Sequence, residues 1–167
     1  MDSMLLKLIT PLFSFIVIVD GIVKLLFTLF GACFIEAEGE ADLLCAEFVR
    51  QNKVYACLSE DMDMFAYNCP RILRYLSLMN HNCILYDLKL IKQSLKISNN
   101  TMTDLCILSG TDYNINEIDE DKNFHFWYEK YLLYQEQNLK LDFIEWVINN
   151  GYNIDKERVA KIQDIFI

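Results

Sequence analysis

A chain of 167 residues with 53% hydrophobic residues, 23% charged residues and only five glycines and two prolines has enough apolar material for one ordinary core and excludes a disordered polymer. Its formal net charge of −9 excludes nucleic-acid binding driven by bulk positive charge, but not a site where bound cations offset carboxylates. Six cysteines with no CxxC pair, most of them inside apolar runs, exclude a zinc site and a disulfide framework and point to a reduced, intracellular protein.

Residues 5–35 are strongly apolar. Pro11 breaks that run, and the uncharged part before Asp20 is too short to span a bilayer as a helix. Asp20 and Lys24 would fall in the bilayer interior, at ~2.5–3.5 kcal/mol each. No membrane partner is therefore expected. Leu12–Val19 predicts a strand. Gly21–Phe30 predicts a helix, capped by Asp20 and ended by Gly31. Being apolar nearly all round, that helix is expected to be buried. Ala32–Ile35 predicts the next strand. Then Ala41, Leu44, Cys45, Phe48 and Val49 fall at i, i+3, i+4, i+7, i+8, the signature of an amphipathic helix, with Asn52 as its stop. Val54–Leu58 predicts the strand that follows.

Strand, helix, strand predicts a parallel, right-handed βαβ unit. Glu40 and Asp42 follow one strand, and Asp61 and Asp63 follow the other. Ligands in open parallel sheets bind at the carboxyl ends of strands. Four carboxylates gathered there repel one another unless a cation joins them, and Mg²⁺ or Mn²⁺ suits all-oxygen ligands. Taken singly, acids after strands are more often caps or solvated loop residues.

Downstream, Met62–Tyr67 predicts a short helical turn and Arg71–Leu76 a strand. Tyr86–Ile97 predicts a helix with Leu88, Ile91 and Leu95 on one face and Lys89, Lys92 and Lys96 on a solvated one. A helix capped by Thr101 or Thr103 runs through Leu108 to Gly110, and Asp112 follows in GTDY. Asn114–Asn123 is a polar loop. Helices are predicted over Phe124–Gln135, Asp142–Asn149 and Lys156–Ile165. Phe124, Trp127, Tyr128 and Tyr131 recur at helical spacing and read as core. His81 and His125 have no ligand-spaced partners and are neither metal ligands nor bases. Glu38 and Glu60 read as surface.

Three blocks stand in order: E-A-D at Glu40–Asp42, S-E-D-M-D at Ser59–Asp63, and D-L-C-I-L-S-G-T-D-Y at Asp104–Tyr113. Together with LLFTLFGACFIEA upstream, they resemble the internal region of flap endonuclease / XPG-type structure-specific 5′ nucleases, from about Ile22 to Tyr113. The resemblance implies an α/β fold, PIN-like, with a mostly parallel central sheet flanked by helices and a helical C-terminal part. It divides the chain into an apolar segment (1–21), an XPG-I-like nuclease region (22–113) and a degenerate helix–two-turn–helix region (114–167). It also implies a metal-dependent nuclease that cleaves flapped or branched DNA in replication, repair or recombination through two Mg²⁺ ions, Mn²⁺ being the alternative. Asp61, Asp63 and Asp112 would form one metal site, and Glu40 and Asp42 would contribute to the other. Arg71 and Arg74, near the acidic edge, become the candidate contacts to DNA phosphates.

The departures from that family are also in the sequence. Nothing upstream of Ile22 resembles the N-terminal nuclease region that supplies two more aspartates, so a separate N-terminal half is an implied partner. NINEIDEDKNFHFWYEKY lacks the family's Gly-Ile-Gly hairpin, and KIQDIFI makes no sliding-clamp motif. The alternative reading is a catalytically incomplete fragment, or a DNA-replication interaction module that keeps the fold. Reduced forms of this kind occur in family members from large DNA viruses, and the many Ile, Asn and Lys residues suit an AT-rich genome. The expected location is the nucleus or a cytoplasmic viral factory.

Overall fold

The computed structural model describes residues 5–8, 14–17, 21–114, 121–137 and 140–166. The chain falls into two compact units, 1–96 and 97–167. Asp20 and most of the predicted Asn114–Asn123 loop lie outside the described residues.

The first unit is built on one six-stranded sheet of order β3-β2-β1-β4-β5-β6. Its strands are β1 (Leu5–Leu8), β2 (Ser14–Val17), β3 (Cys33–Ile35), β4 (Cys57–Leu58), β5 (Arg71–Ser77) and β6 (Asn82–Asp87). β2 pairs with β3, and β4 with β5, in parallel; β1 pairs antiparallel with both β2 and β4, and β6 antiparallel with β5. The sheet is therefore mixed rather than mostly parallel. The reason is connection length. The links from Leu8 to Ser14 and from Ser77 to Asn82 are hairpin-sized, whereas a parallel pair needs a crossover of about a dozen residues.

Helix α1 (Gly21–Leu29) forms where the apolar run predicts it, and Gly31 follows at φ +66°. Its burial differs from the expectation. Leu29 is 72% exposed and Phe30 83%, and Leu25 and Leu26 are exposed too. An apolar helix is covered only if elements lie on several sides of it, and here α1 packs mainly on β3.

Helix α2 (Ala41–Arg50) buries Ala41, Cys45, Ala46 and Val49, close to the predicted face. It packs on β1, β2, β4 and the short helix α3 (Asp63–Ala66). Asn52 takes a left-handed φ of 53° just beyond its end. β4 is shorter than the predicted Val54–Leu58, although Val54 and Ala56 are buried as a strand would bury them. β6 takes Tyr86 and Asp87, the first two residues of the predicted Tyr86–Ile97 helix, into a strand. Helix α4 (Leu88–Leu95) begins only after Asp87, whose carboxylate accepts the Leu90 N–H at 3.1 Å.

The second unit is helical: α5 (Asn99–Ser109), α6 (Phe124–Glu136), α7 (Phe143–Asn149) and α8 (Lys156–Gln163). Ser98, not Thr101 or Thr103, caps α5, accepting the Thr101 N–H at 3.1 Å. Asn123, Asp142 and Asp155 cap the other three. α5 packs against α6 and α8, and α6 against α7. Leu105, Ile107, Trp127, Val147, Val159 and Ile162 are buried. Of the four predicted core aromatics, Trp127 and Tyr131 are buried, whereas Phe124 and Tyr128 are half-buried.

One carboxyl in this unit is unusual. Asp104, in α5, accepts a hydrogen bond from Gln163 Nε2 at 2.6 Å. Burial pushes its pKa up to about 6, with the Asp142 charge adding to the rise and the Gln163 bond opposing it. The folded state thus holds this proton more tightly than the unfolded chain does. The contribution to stability is complete below the ordinary carboxyl pKa of about 4 and is lost as pH rises through about 6. Asp104→Asn keeps an acceptor for Gln163 and removes the titration. We expect it to raise stability at pH 7 by roughly 1–2 kcal/mol, discounted for partial exposure, and to leave stability at pH 4 nearly unchanged. Thermal midpoints of the two proteins at both pH values check this.

Candidate metal centre

The chain leaves β4 at Leu58 and turns through Ser59–Met62 into α3, which Asp63 opens. Ser59 extends the sheet by one bond, its N–H donating to the Leu73 carbonyl at 3.1 Å. The Ser59 hydroxyl then accepts the Asp61 N–H at 3.0 Å, and Asp61 Oδ1 accepts the Asp63 N–H at 2.9 Å. These are two side-chain turns in succession, each spanning two residues, and Ser and Asp are residue types that make them. The result holds Asp61 half-buried and Asp63 only 4% exposed, with carboxylate oxygens within 4.8 Å of one another. Two carboxylates this close repel, and the donors on offer are all oxygen. That set fits a hard divalent cation, and Asp61 and Asp63 are the residues that would share it.

Glu40 and Asp42 sit at the start of α2, Glu40 exposed at the cap position and Asp42 half-buried in the first turn. A hydrogen bond with Cys45, then burial, push the Cys57 thiol well above its usual pKa, and the Asp42 charge adds to the rise. β3 and β4 run in the same direction, because two antiparallel steps through β1 cancel. Their carboxyl ends therefore lie on one edge of the sheet, as the sequence predicts. They are not neighbours, however: β2 and β1 stand between them, a lateral offset of roughly 14 Å at ordinary strand spacing. Among the described residues, Glu40 and Asp42 do not enter a cluster of three or more acidic groups with Asp61 and Asp63.

Asp112 belongs to the second unit and is exposed. Its turn follows Gly110, whose φ of 110° suits glycine. Thr111 is buried, and both its N–H (2.9 Å) and its hydroxyl (2.8 Å) donate to Asn114 Oδ1. Asn114 Nδ2 in turn donates to the Ile107 carbonyl at 2.8 Å. The GTDYN turn is thus pinned to the last turn of α5, with Asp112 on its outer side.

The two arginines marked as phosphate contacts are engaged inside the fold. Arg71 donates from Nε to the Tyr55 carbonyl at 2.5 Å and from Nη2 to Asn52 Oδ1 at 3.2 Å, and lies over the Tyr55 ring. Arg74 donates from Nη2 to the Glu60 carbonyl at 2.6 Å. Ser59, Glu60 and Asn114 shape the acidic turns without being candidates in the sequence reading. A Ser or Asn two residues from an Asp was the available signal, since such side chains bond local backbone.

The family of the description XPG I-region matches residues 31–112, a span that contains all five acids. Over those residues the chain carries an XPG I-region, the part it shares with XPG-type nucleases. Flap endonuclease 1 of Xenopus tropicalis is 37% identical over 93 residues, covering 54% of this chain and 24% of the relative. That of Methanococcus aeolicus is 36% identical over 100 residues, covering 60% and 30%. The chain thus spans less than a third of the length of these relatives. Among solved structures, flap endonuclease-1 from Methanococcus jannaschii superposes with a TM-score of 0.67 at 26% identity, covering 86% of this chain and 41% of that one. The Holliday junction-resolving enzyme GEN1, in complex with product DNA and a Mg²⁺ ion, gives a TM-score of 0.50 at 32% identity, covering 57% and 25%. The expected PIN-like α/β architecture stands with these neighbours, with the mixed sheet as its correction. Among the described residues, no helix is long and apolar enough to cross a membrane.

Proposed function

We propose that the XPG I-region of this chain holds the divalent cations of a nuclease that hydrolyses phosphodiester bonds in flapped or branched DNA. The observation that carries the reading is the Ser59–Asp63 turn, which presents two close carboxylates, one of them buried, inside a family match that runs to Asp112. Asp112 is the third ligand of this set, and Glu40 and Asp42 serve a second cation. When bound, such ions polarise phosphoryl oxygens and make water a usable nucleophile near neutral pH. The chain's own part is to hold Asp61 and Asp63 in one arrangement before substrate arrives, so that no reorganisation is needed at the reacting phosphate. DNA with branches or flaps is the proposed substrate because relatives of this chain are named for such DNA, and GEN1 was solved with its product. A separate N-terminal nuclease half is the proposed protein partner.

The test is incision of a 5′-flap duplex, compared with an unbranched duplex, in Mg²⁺ or Mn²⁺, with the chain alone and together with the N-terminal region of a flap endonuclease. Incision of the flap is expected, with loss on chelation and in Asp61→Ala. No incision in either setting, together with no Mn²⁺ binding by calorimetry, overturns the reading.

A further inference from the structure

The Ser59–Asp63 turn is tied to β5 by two side chains that cross between them. Arg74 lies against the turn with its side chain only 12% exposed. Its Nη2 donates to the Glu60 carbonyl at 2.6 Å, its Nη1 meets Met62 Sδ at 3.1 Å, and its Nε is 3.5 Å from Glu60 Oε2. The guanidinium also lies over the Phe65 and Tyr75 rings, at 5.7 and 5.3 Å from their centroids. In return, Glu60 Oε1 accepts the Tyr75 N–H at 2.6 Å. That amide is available because the β5–β6 register is broken between Arg74 and Ser77, and Tyr75 itself sits at φ +56°. The side chain of β5 holds the backbone of the turn, and the side chain of the turn holds the backbone of β5.

We infer that Arg74 and Glu60 are positioning residues, a reciprocal clamp that fixes the backbone from which Asp61 and Asp63 present their carboxylates. Glu60 is the residue between the serine and the first aspartate of the nested turns, so fixing its carbonyl fixes the peptide that leads into Asp61. An arginine suits the task because its planar fork serves several acceptors at once, which a lysine cannot do. The clamp also accounts for a basic group beside an acidic edge without assigning it to a phosphate. The consequence for metal affinity rests on Asp61 and Asp63 being cation ligands; the consequence for backbone order does not.

The experiment uses the full chain with Mn²⁺ alone as probe, and the variants Arg74→Met, Glu60→Ala, which removes the acceptor of the Tyr75 N–H, and the double variant. Calorimetry reads Mn²⁺ affinity, hydrogen exchange reads the Asp61, Asp63 and Tyr75 amides, and thermal unfolding checks that each variant is folded. Each single change is expected to weaken Mn²⁺ binding about tenfold, the low end for loss of a group that orients a metal ligand. The double change is expected to weaken binding no more than either single change, since both break one unit. The three amides are expected to exchange faster while the unfolding midpoint barely moves. Unchanged affinity and unchanged amides in Glu60→Ala, where a side chain 59% exposed is removed without loss of the fold, overturn the clamp. Fully additive losses overturn it as well. If the unaltered chain binds no Mn²⁺, the cation reading fails by itself, and the amides alone decide: faster exchange in the variants sustains the clamp, and unchanged exchange refutes it.

Discussion

Asp63→Asn is expected to reduce Mn²⁺ affinity and Mg²⁺-dependent flap incision by at least about 100-fold while leaving the fold in place. Asn has nearly the shape of Asp, and the site is 4% exposed, so packing is preserved. The Asp63 N–H bond to Asp61 Oδ1 uses the backbone and survives the change. What disappears is one of two negative charges held within 4.8 Å. Metal-assisted hydrolysis rests on several kcal/mol of charge stabilisation, and each 1.4 kcal/mol is worth about tenfold, so two or more decades follow. Stability without metal moves the other way. Asp61 and Asp63 repel in the absence of a cation, so Asp63→Asn is expected to unfold at the same or a higher temperature in EDTA. A buried carboxylate kept only for structure would give the opposite result, a large loss of stability with metal present or absent. Calorimetry, flap incision and thermal unfolding in EDTA separate the two, and Glu38→Gln on the exposed loop before α2 serves as the neutral control.

The parts of this molecule legible in its sequence are those in which local chemistry decides. α2 was legible because one face of it packs on the sheet and the other does not, which imprints the spacing of Ala41, Cys45 and Val49. The acidic turns were legible as places, because carboxylates in pairs after apolar runs are unusual in kind and order. Long-range pairing was not legible. Nothing in Leu5–Leu8 says that it will stand between β2 and β4, and that insertion separates the carboxyl ends of β3 and β4 and makes the sheet mixed. β6 was missed because Cys83-Ile84-Leu85-Tyr86 shows no period of two, and its hairpin turns through His81 at φ +50° without the glycine that would have signalled it. α1 misled for a related reason. Hydrophobicity reports a demand for cover, and here Leu29 and Phe30 do not receive it. The arginines show the same limit at the site. Charge and position mark them as candidates for phosphate, whereas their bonds to the Tyr55 and Glu60 carbonyls, 16 and 14 residues away, are not legible locally.

Trp127→Ala is expected to be the most damaging single truncation in the helical unit, costing about 3–5 kcal/mol, the usual range for removing a buried Trp or Phe side chain. Trp127 is 1% exposed in the first turn of α6, and its ring meets Phe126 and Tyr152 edge-on at 5.1 and 5.2 Å. Tyr152 lies beyond α7, so truncation removes the packing between α6 and the segment that leads into α8. Trp127→Phe separates size from polarity. Among the described residues the indole N–H has no hydrogen-bond partner, so the phenyl ring loses no bond and removes a buried donor whose desolvation was never repaid. Its cost is expected to fall below about 1.5 kcal/mol, the level of a tolerated apolar swap, despite the smaller volume. Urea unfolding followed by tryptophan fluorescence from the remaining Trp146, and by circular dichroism, measures both variants. A large loss in Trp127→Phe as well would show that the indole nitrogen is paired. The consequence reaches the acidic turn through one unit only: α6 packs on α5, and Asn114 hangs the Asp112 turn on the α5 carbonyl of Ile107. Hydrogen exchange at Thr111 is therefore expected to rise in Trp127→Ala and to stay slow in Trp127→Phe.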